Sequence, residues 1–295
     1  METPIILIHY GNSPYLWTTL YQLRQSNPEV KAYLIGTQET THFSPIIQHI
    51  EIEKYEKSKK QLAEVYRHFS TNGYDFEFIC ILRWFILRDF MQANSIQQCF
   101  YMDSDVLLYS PISEIKEIVG ECDMTISGIS GHTNLIQLST LQDFCNYVIT
   151  RYQATDAENY FKNYYEALVA QQGAGGVSDM TFLTEFIRDN SQVKAINLAY
   201  PINDTVFDVT IDSNFGEFMM ENGIKKIVFQ QQKPYGTLKN HDKAIQFHTL
   251  HFQGGLSKKI MLNFVPNKGL TFWIGYYKSL LIWYFQRIRR KFLSI

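Results

Sequence analysis

The run QQCFYMDSDVLLYSP sets two carboxylates, Asp103 and Asp105, one residue apart at the end of a short apolar stretch. Two such acids can share a hard divalent cation that also takes diphosphate oxygens. An apolar strand ending in carboxylates matches the place of ligand sites in α/β proteins, at the carboxyl ends of parallel strands. D-S-D is also ordinary turn chemistry, so the triplet alone leaves both readings open. A second group stands near the far end, in HTLHFQGGLSKKIM. There His251 offers an imidazole to an octahedral metal shell, Gly254 permits close backbone approach to phosphate, and Lys258 can neutralise phosphate charge. Singly, His251 reads as a core histidine and Lys258 as a surface charge. Jointly with Asp103 and Asp105 they are the parts of a metal and diphosphate site.

These residues need a scaffold, and the pattern supplies one. PIILIHYG reads as a buried strand, SPYLWTTLYQLRQS as a helix with Leu16, Leu20 and Leu23 on one face, and VKAYLIGT as a second strand. That order is the β-α-β unit of a parallel sheet, so the fold class is α/β. Residues 53–70 read as an exposed amphipathic helix, and DFEFICILRWFILRDFMQAN as a more buried one. The strand QCFYM then delivers the aspartates. DMTIS reads as a strand and LSTLQDFCNYVITRY and TDAENYFKNYYEALVAQQ as helices. VSDMTFLTEFIRDN is a helix capped by Ser178, and the remainder is short strands and loops including KKIVFQ and AIQFHTLHFQGG.

FYMDSDVLLYSPISE resembles the D-x-D segment of GT-A fold glycosyltransferases, and HFQGGLSK is similar to the C-terminal H-F-x-G-x-x-K element of glycosyltransferase family 8 and its relatives. The resemblance runs loosely from Ile5 to Met261. It implies a GT-A type, Rossmann-like mixed sheet flanked by helices, with a catalytic domain over residues 1–265. It also implies a metal-dependent enzyme that moves a sugar, with retention, from a nucleotide-diphosphate donor such as a UDP-sugar to a hydroxyl of a glycan or lipid-linked acceptor. On the matching positions, Asp103 would touch the ribose or the metal, Asp105 and His251 would ligate the metal, and Gly254 and Lys258 would hold the diphosphate. Ser104, between the acids, is counted with the donor contacts. Mn2+ suits an imidazole among oxygen ligands better than calcium does, with Mg2+ as the other choice. Two departures stand out: Lys258 is followed by Lys259 and Ile260 instead of Pro-Trp, and His9 and Tyr10 replace the nucleotide-reading acid common after the first strand.

Other residues join the candidates on weaker grounds. Tyr10 and Tyr15 flank the first strand-to-helix turn, where an aromatic ring can stack on a base or simply pack. Arg83 and Arg88 lie on the helix before the Asp103 strand; either could reach a donor, or pair with Glu77 or Asp89. Asp179 follows QQGAGGV in a first helical turn, where the helix dipole alone would favour an acid. The glycines beside it suggest an acceptor entrance. There Asp179 would act as general base if transfer inverts, or orient sugars if it retains. Asp204, Asp208 and Asp212 fit no calcium loop and read as a solvated loop bordering the acceptor, and GAGG is no dinucleotide fingerprint.

Bulk properties bound the rest. The 295 residues are ample for a large core, and a net charge of -2 gives no global field for DNA or RNA. Cys80, Cys99, Cys122 and Cys145 lack any C-x-x-C pair, which suggests reduced thiols in a cytoplasmic setting. METPIILIHYGNS has too short an apolar run for a signal peptide. Residues 266–295 form a tail dense in aromatics, including Phe272, Trp273 and Trp283, that closes on Arg287, Arg289, Arg290 and Lys291. Residues 270–293 fit an interfacial helix on an anionic membrane surface, or a helix that packs back on protein. Two other functions stay in view: a sugar-nucleotide nucleotidyltransferase, against which the missing basic glycine loop in HYGNSPYLW argues, and a noncatalytic nucleotide-sugar or membrane-surface binding protein.

Overall fold

A parallel strand buried on both faces must be apolar throughout, and β1 (Ile5–His9) is: all five residues are buried. In the computed structural model, which describes residues 3–240 and 243–293, β1 pairs in parallel with β2 (Ala32–Gly36), Ile5 opposite Ala32 and His9 opposite Gly36. Met1, Glu2, Ser294 and Ile295, the extreme ends of the first strand's run and of the tail, lie outside the described residues. The chain divides into two compact units: Met1–Glu51, Phe100–Glu121 and Asn197–Ile295 form one, Ile52–Cys99 and Cys122–Ile196 the other.

In the first unit, β2 pairs in parallel with β3 (Gln48–Glu51), and the end of β4 (Gln98–Met102) runs parallel to β1, with Ile5 opposite Phe100. The crossover helix α1 (Leu16–Ser26) buries Leu16, Leu20 and Leu23, as their spacing requires. A second sheet contains β5 (Val106–Leu108), β12 (Ile227–Gln230), β13 (Lys233–Thr237) and β14 (Ala244–His251), antiparallel, while β9 (Thr205–Phe207) runs parallel to β14. Its register sets His251 opposite Val106, so the end of β14 meets the turn that carries the aspartates. The unit also holds α4 (Ile112–Val119) and a hairpin of β10 (Met220–Glu221) and β11 (Ile224–Lys225). Asn222 and Gly223, both at positive φ, turn that hairpin.

After β14 come α8 (Gly254–Ile260) and α9 (Leu270–Leu293). One face of α9 packs on this unit. Phe272 is fully buried, Trp17 Nε1 donates to its carbonyl at 3.0 Å, and a Cβ on Gly275 would lie 2.0 Å from the Trp17 ring. Farther along, Asn12 Nδ2 donates to Gln286 Oε1 at 2.8 Å, and Arg290 lies 3.3 Å from Glu39. Leu270, Ile274, Tyr277, Leu281, Tyr284 and Phe285, at helical spacing, are all more than half exposed. No helix among the described residues is long and apolar enough to cross a membrane.

The second unit contains α2 (Glu56–Ala63), α3 (Tyr74–Ala93), β6 (Met124–Ile126), β7 (Thr133–Gln137), α5 (Leu138–Gln153), α6 (Ala157–Gln172), α7 (Asp179–Asp189) and the start of β8 (Ala195–Asn197). Ring contacts knit it together, Trp84 on Phe144 and Phe161 on Phe182 among them. The helix expected over residues 53–70 is much shorter. Its last residues are drawn into extended pairing with the glycine loop, where Thr71 N–H donates to Gly175 O at 3.0 Å and Val177 N–H to Phe69 O at 2.8 Å. All four cysteines are free thiols.

Candidate functional site

The turn between β4 and β5 is closed by Val106 N–H on Asp103 O at 3.1 Å, and Phe252 N–H donates to Asp105 O at 3.0 Å. These bonds bring together one ligand atom each from Asp103, Asp105 and His251, all within 4.8 Å of one another. Asp105 and His251 are buried and Asp103 is half-buried. An octahedral ion with bonds near ~2.1 Å sets neighbouring ligand atoms ~3.0 Å and opposite ones ~4.2 Å apart. His251 Nε2 and Asp105 Oδ1, at 3.6 Å, fall inside that range, so two carboxylates and an imidazole fit a divalent cation with small adjustment. Tyr101 hydroxyl donates to Asp103 Oδ1 at 2.7 Å and Lys258 Nζ sits 2.9 Å from Asp105 Oδ2, so both acids are oriented by neighbours.

The electrostatics favour a charged carboxylate. Burial pushes the Asp105 carboxyl up, but the His251 hydrogen bond and the charges of His251 and Lys258 outweigh it and hold the group well below its ordinary range. Burial lowers His251 and Lys258, yet Asp105 raises both above their ordinary values. His9 behaves differently: burial outweighs the pull of Asp105 and lowers it to about 4, leaving a neutral ring.

That ring organises the next layer. His9 Nδ1 lies 2.8 Å from Ser104 Oγ and its Nε2 3.1 Å from Ser13 Oγ, while Thr19 Oγ1 donates to Ser104 O at 2.5 Å. Tyr15 meets His9 edge-on at 6.1 Å, and Lys258 Nζ stands 5.3 Å over its ring. A cavity of about 440 Å³ opens here, lined by Tyr15, Thr18, Gly255, Lys258, Leu262 and Tyr276 among others. Tyr10 is half-buried just past the end of β1. Gly254 has φ +84°, and a Cβ added there would meet nothing within 4 Å, so its requirement is conformational and the space beside it is open.

At the site the structure corrects a further expectation of the sequence. Asp208 is not in a solvated loop: it is 1% exposed and paired with Lys225, itself 2% exposed, at 2.9 Å. Asp212 accepts hydrogen bonds from Ser257 Oγ at 3.0 Å and Thr210 Oγ1 at 2.7 Å. Tyr101 and Lys225 were invisible as site neighbours because each sits in an ordinary strand pattern, and Asp208 was placed near the site only as a solvated acid. The only signal was the density of acids in PINDTVFDVTIDSN.

Arg83 and Asp179 belong to the second unit, where they meet. Arg83 donates to Asp179 Oδ2 at 2.6 Å and Trp84 Nε1 to the same oxygen at 3.0 Å. Ser178 N–H donates to Thr181 Oγ1 at 3.2 Å, half of a capping box that starts α7. The glycine loop before it is close-packed: a Cβ on Gly176 would lie 2.3 Å from that of Ser70. Arg88 pairs with Asp89 at 2.8 Å.

No family model and no curated protein matches the chain. Among solved structures, it is similar to a galactosyltransferase, LgtC, in complex with donor and acceptor sugar analogues, at 10% identity and a TM-score of 0.43, covering 93% of this chain and 100% of that one. It is also similar to mouse xyloside xylosyltransferase 1 in its apo form, at 10% identity and a TM-score of 0.43, covering 67% of this chain and 85% of that one. A third is the glycosyltransferase GlyE of Streptococcus pneumoniae, at 14% identity and a TM-score of 0.34, covering 67% of this chain and 45% of that one. Likenesses this distant assign no function, and the side chains have to carry it.

Proposed function

We propose that the chain is a GT-A type glycosyltransferase that moves a sugar from a nucleotide-diphosphate donor, a UDP-sugar, to a hydroxyl of a glycan or lipid-linked acceptor, with retention. The observation that carries this reading is the meeting of Asp103, Asp105 and His251 from distant parts of the sequence, with Lys258 on Asp105. Asp103, Asp105 and His251 would hold Mn2+ or Mg2+, which when bound supplies positive charge to a leaving diphosphate. Lys258 adds a second positive charge where negative charge develops on bond cleavage. The cavity beside Tyr15 suits a nucleoside, with the ring available for stacking, and Tyr10, Ser104 and Gly254 border the donor on this reading. Arg83 and Asp179 would contact sugar. Two donors on one oxygen of Asp179 favour orienting a hydroxyl over abstracting its proton.

The exposed apolar face of α9, together with Arg287, Arg289, Arg290 and Lys291, suits attachment to an anionic membrane surface, and so a peripheral enzyme on a cytoplasmic face. The deciding experiment is calorimetric titration of the full chain with UDP, GDP and CDP, with and without Mn2+, repeated on Asp105→Asn. Metal-dependent binding of one nucleotide, lost in the variant, is the expected result. No binding under any condition would return D-S-D to an ordinary turn. Donor hydrolysis with Mn2+ separates the enzyme from a noncatalytic binding protein.

A further inference from the structure

An ion pair as buried as Asp208 and Lys225 is a poor stabiliser, because the hydration each ion loses on burial offsets their mutual attraction. Its geometry shows what else the pair does. Asp208 Oδ1 takes Lys225 Nζ at 2.9 Å, and Oδ2 accepts the backbone N–H of His251 at 3.1 Å. The next residue continues the grip, as Val209 O accepts the ring Nδ1–H of His251 at 2.6 Å. Ile211 N–H then donates to His251 O at 2.8 Å. So the N–H, the carbonyl and one ring nitrogen of His251 all bond to residues 208–211. A proton held on Nδ1 by a carbonyl leaves the Nε2 lone pair for a cation. Nε2 is the atom that faces Asp105.

Lys225 fixes this segment from behind. Its Nζ donates to Thr210 O at 2.5 Å and its own N–H to Ile211 O at 2.8 Å. One step on, Asp212 Oδ2 accepts from Ser257 Oγ, the residue before Lys258 on α8. The segment 208–212 is therefore tied to the imidazole and to the helix that presents the lysine.

We propose that Asp208 and Lys225 are positioning residues: they hold residues 208–212 against β14 and α8 so that His251 presents Nε2, and α8 presents Lys258, toward Asp105. This rests on the metal reading of the cluster, deepens it, and separates from it under test. The test uses the full chain and the double variant Asp208→Leu with Lys225→Met, which removes both buried charges and keeps the branching of one side chain and the linear form of the other. Mn2+ affinity is read by water proton relaxation beside a thermal melt, and the His251 ring tautomer by 15N NMR in alkaline buffer without metal.

The expected result is a double variant that melts near wild type, binds Mn2+ about 10- to 100-fold more weakly, and has lost its fixed Nδ1–H tautomer. A folded double variant with wild-type Mn2+ affinity and an unchanged tautomer would overturn the proposal. If the double variant fails to fold, Asp208→Asn with Lys225→Met decides: it keeps an acceptor for the His251 N–H and removes the charge pair without leaving a buried ammonium unpaired. A shifted tautomer in that variant supports the proposal and a wild-type tautomer overturns it. If wild-type protein binds no Mn2+, the metal reading falls, and the tautomer measurement alone decides the positioning role.

Discussion

Asp105 lies between the imidazole of His251 and the ammonium of Lys258, and both stabilise its charge. Replacing it with asparagine keeps the volume and removes that charge, so Asp105→Asn is expected to lower Mn2+ affinity by more than ~100-fold, exceeding the loss typical of an outer-shell partner. Electron paramagnetic resonance of free Mn2+ measures this directly, and unchanged affinity would remove Asp105 from the ligand set. On the proposed reading Lys258 differs, adding charge beside Asp105 without ligating. Lys258→Met is expected to lower turnover by ~10² to 10³-fold while leaving Mn2+ affinity within a few-fold, checked by steady-state transfer kinetics. The meeting of Asp103, Asp105, His251 and Lys258 was legible in the sequence because two acids end one apolar run and a histidine and a lysine follow the end of another. Their supports were not, since Tyr101 reads as one more strand aromatic and Asp208 as one more loop acid. Burial and a hydrogen bond, which distinguish those two, are properties of the fold.

The elements divide along the same line. β1, α1 and β2 were readable because a doubly buried strand is apolar throughout and its crossover helix repeats leucine every three to four residues. β3 (QHIE) and β7 (TNLIQ) carry no such pattern, and neighbouring strands define them. α9 combines a docked face and an exposed one, and each is testable alone. Gly275 admits the Trp17 ring at a distance no side chain tolerates, so Gly275→Leu should displace the start of α9 and lower the melting temperature by several degrees. On the other face, Leu281→Glu with Phe285→Glu touches only exposed positions and should leave the melt unchanged. If this face meets lipid, the same variant co-sediments less with anionic vesicles, and wild-type binding weakens with salt through the basic end. Equal sedimentation of both proteins would turn attention to a protein partner for α9.

Across the folded chain, burial wins over neighbouring charge at two histidines. His9 and His248 are both held neutral by burial, lowered to about 4, although His248 Nδ1 lies 3.8 Å from Glu114. That proximity is therefore no ion pair near neutrality. An unfolded histidine titrates near 6.5, so between about pH 6.5 and 4 the unfolded chain binds protons that these two folded rings refuse. Stability thus rises with pH through that window, and each ring accounts for a loss on the order of 2 kcal/mol at about pH 5. His251 and Asp208 act in the opposite sense, since both are raised in the fold and gain protons there first. His248 can be isolated from that background. Its Nδ1 lies 2.6 Å from Ser110 Oγ and its ring rests on Phe207, so phenylalanine substitution keeps the packing and removes the titration. Urea denaturation at about pH 7 and pH 5 should show a smaller loss of stability in His248→Phe than in wild type. Parallel losses in the two proteins would mean that His248 takes up its proton within the fold, and that Glu114 outweighs burial after all.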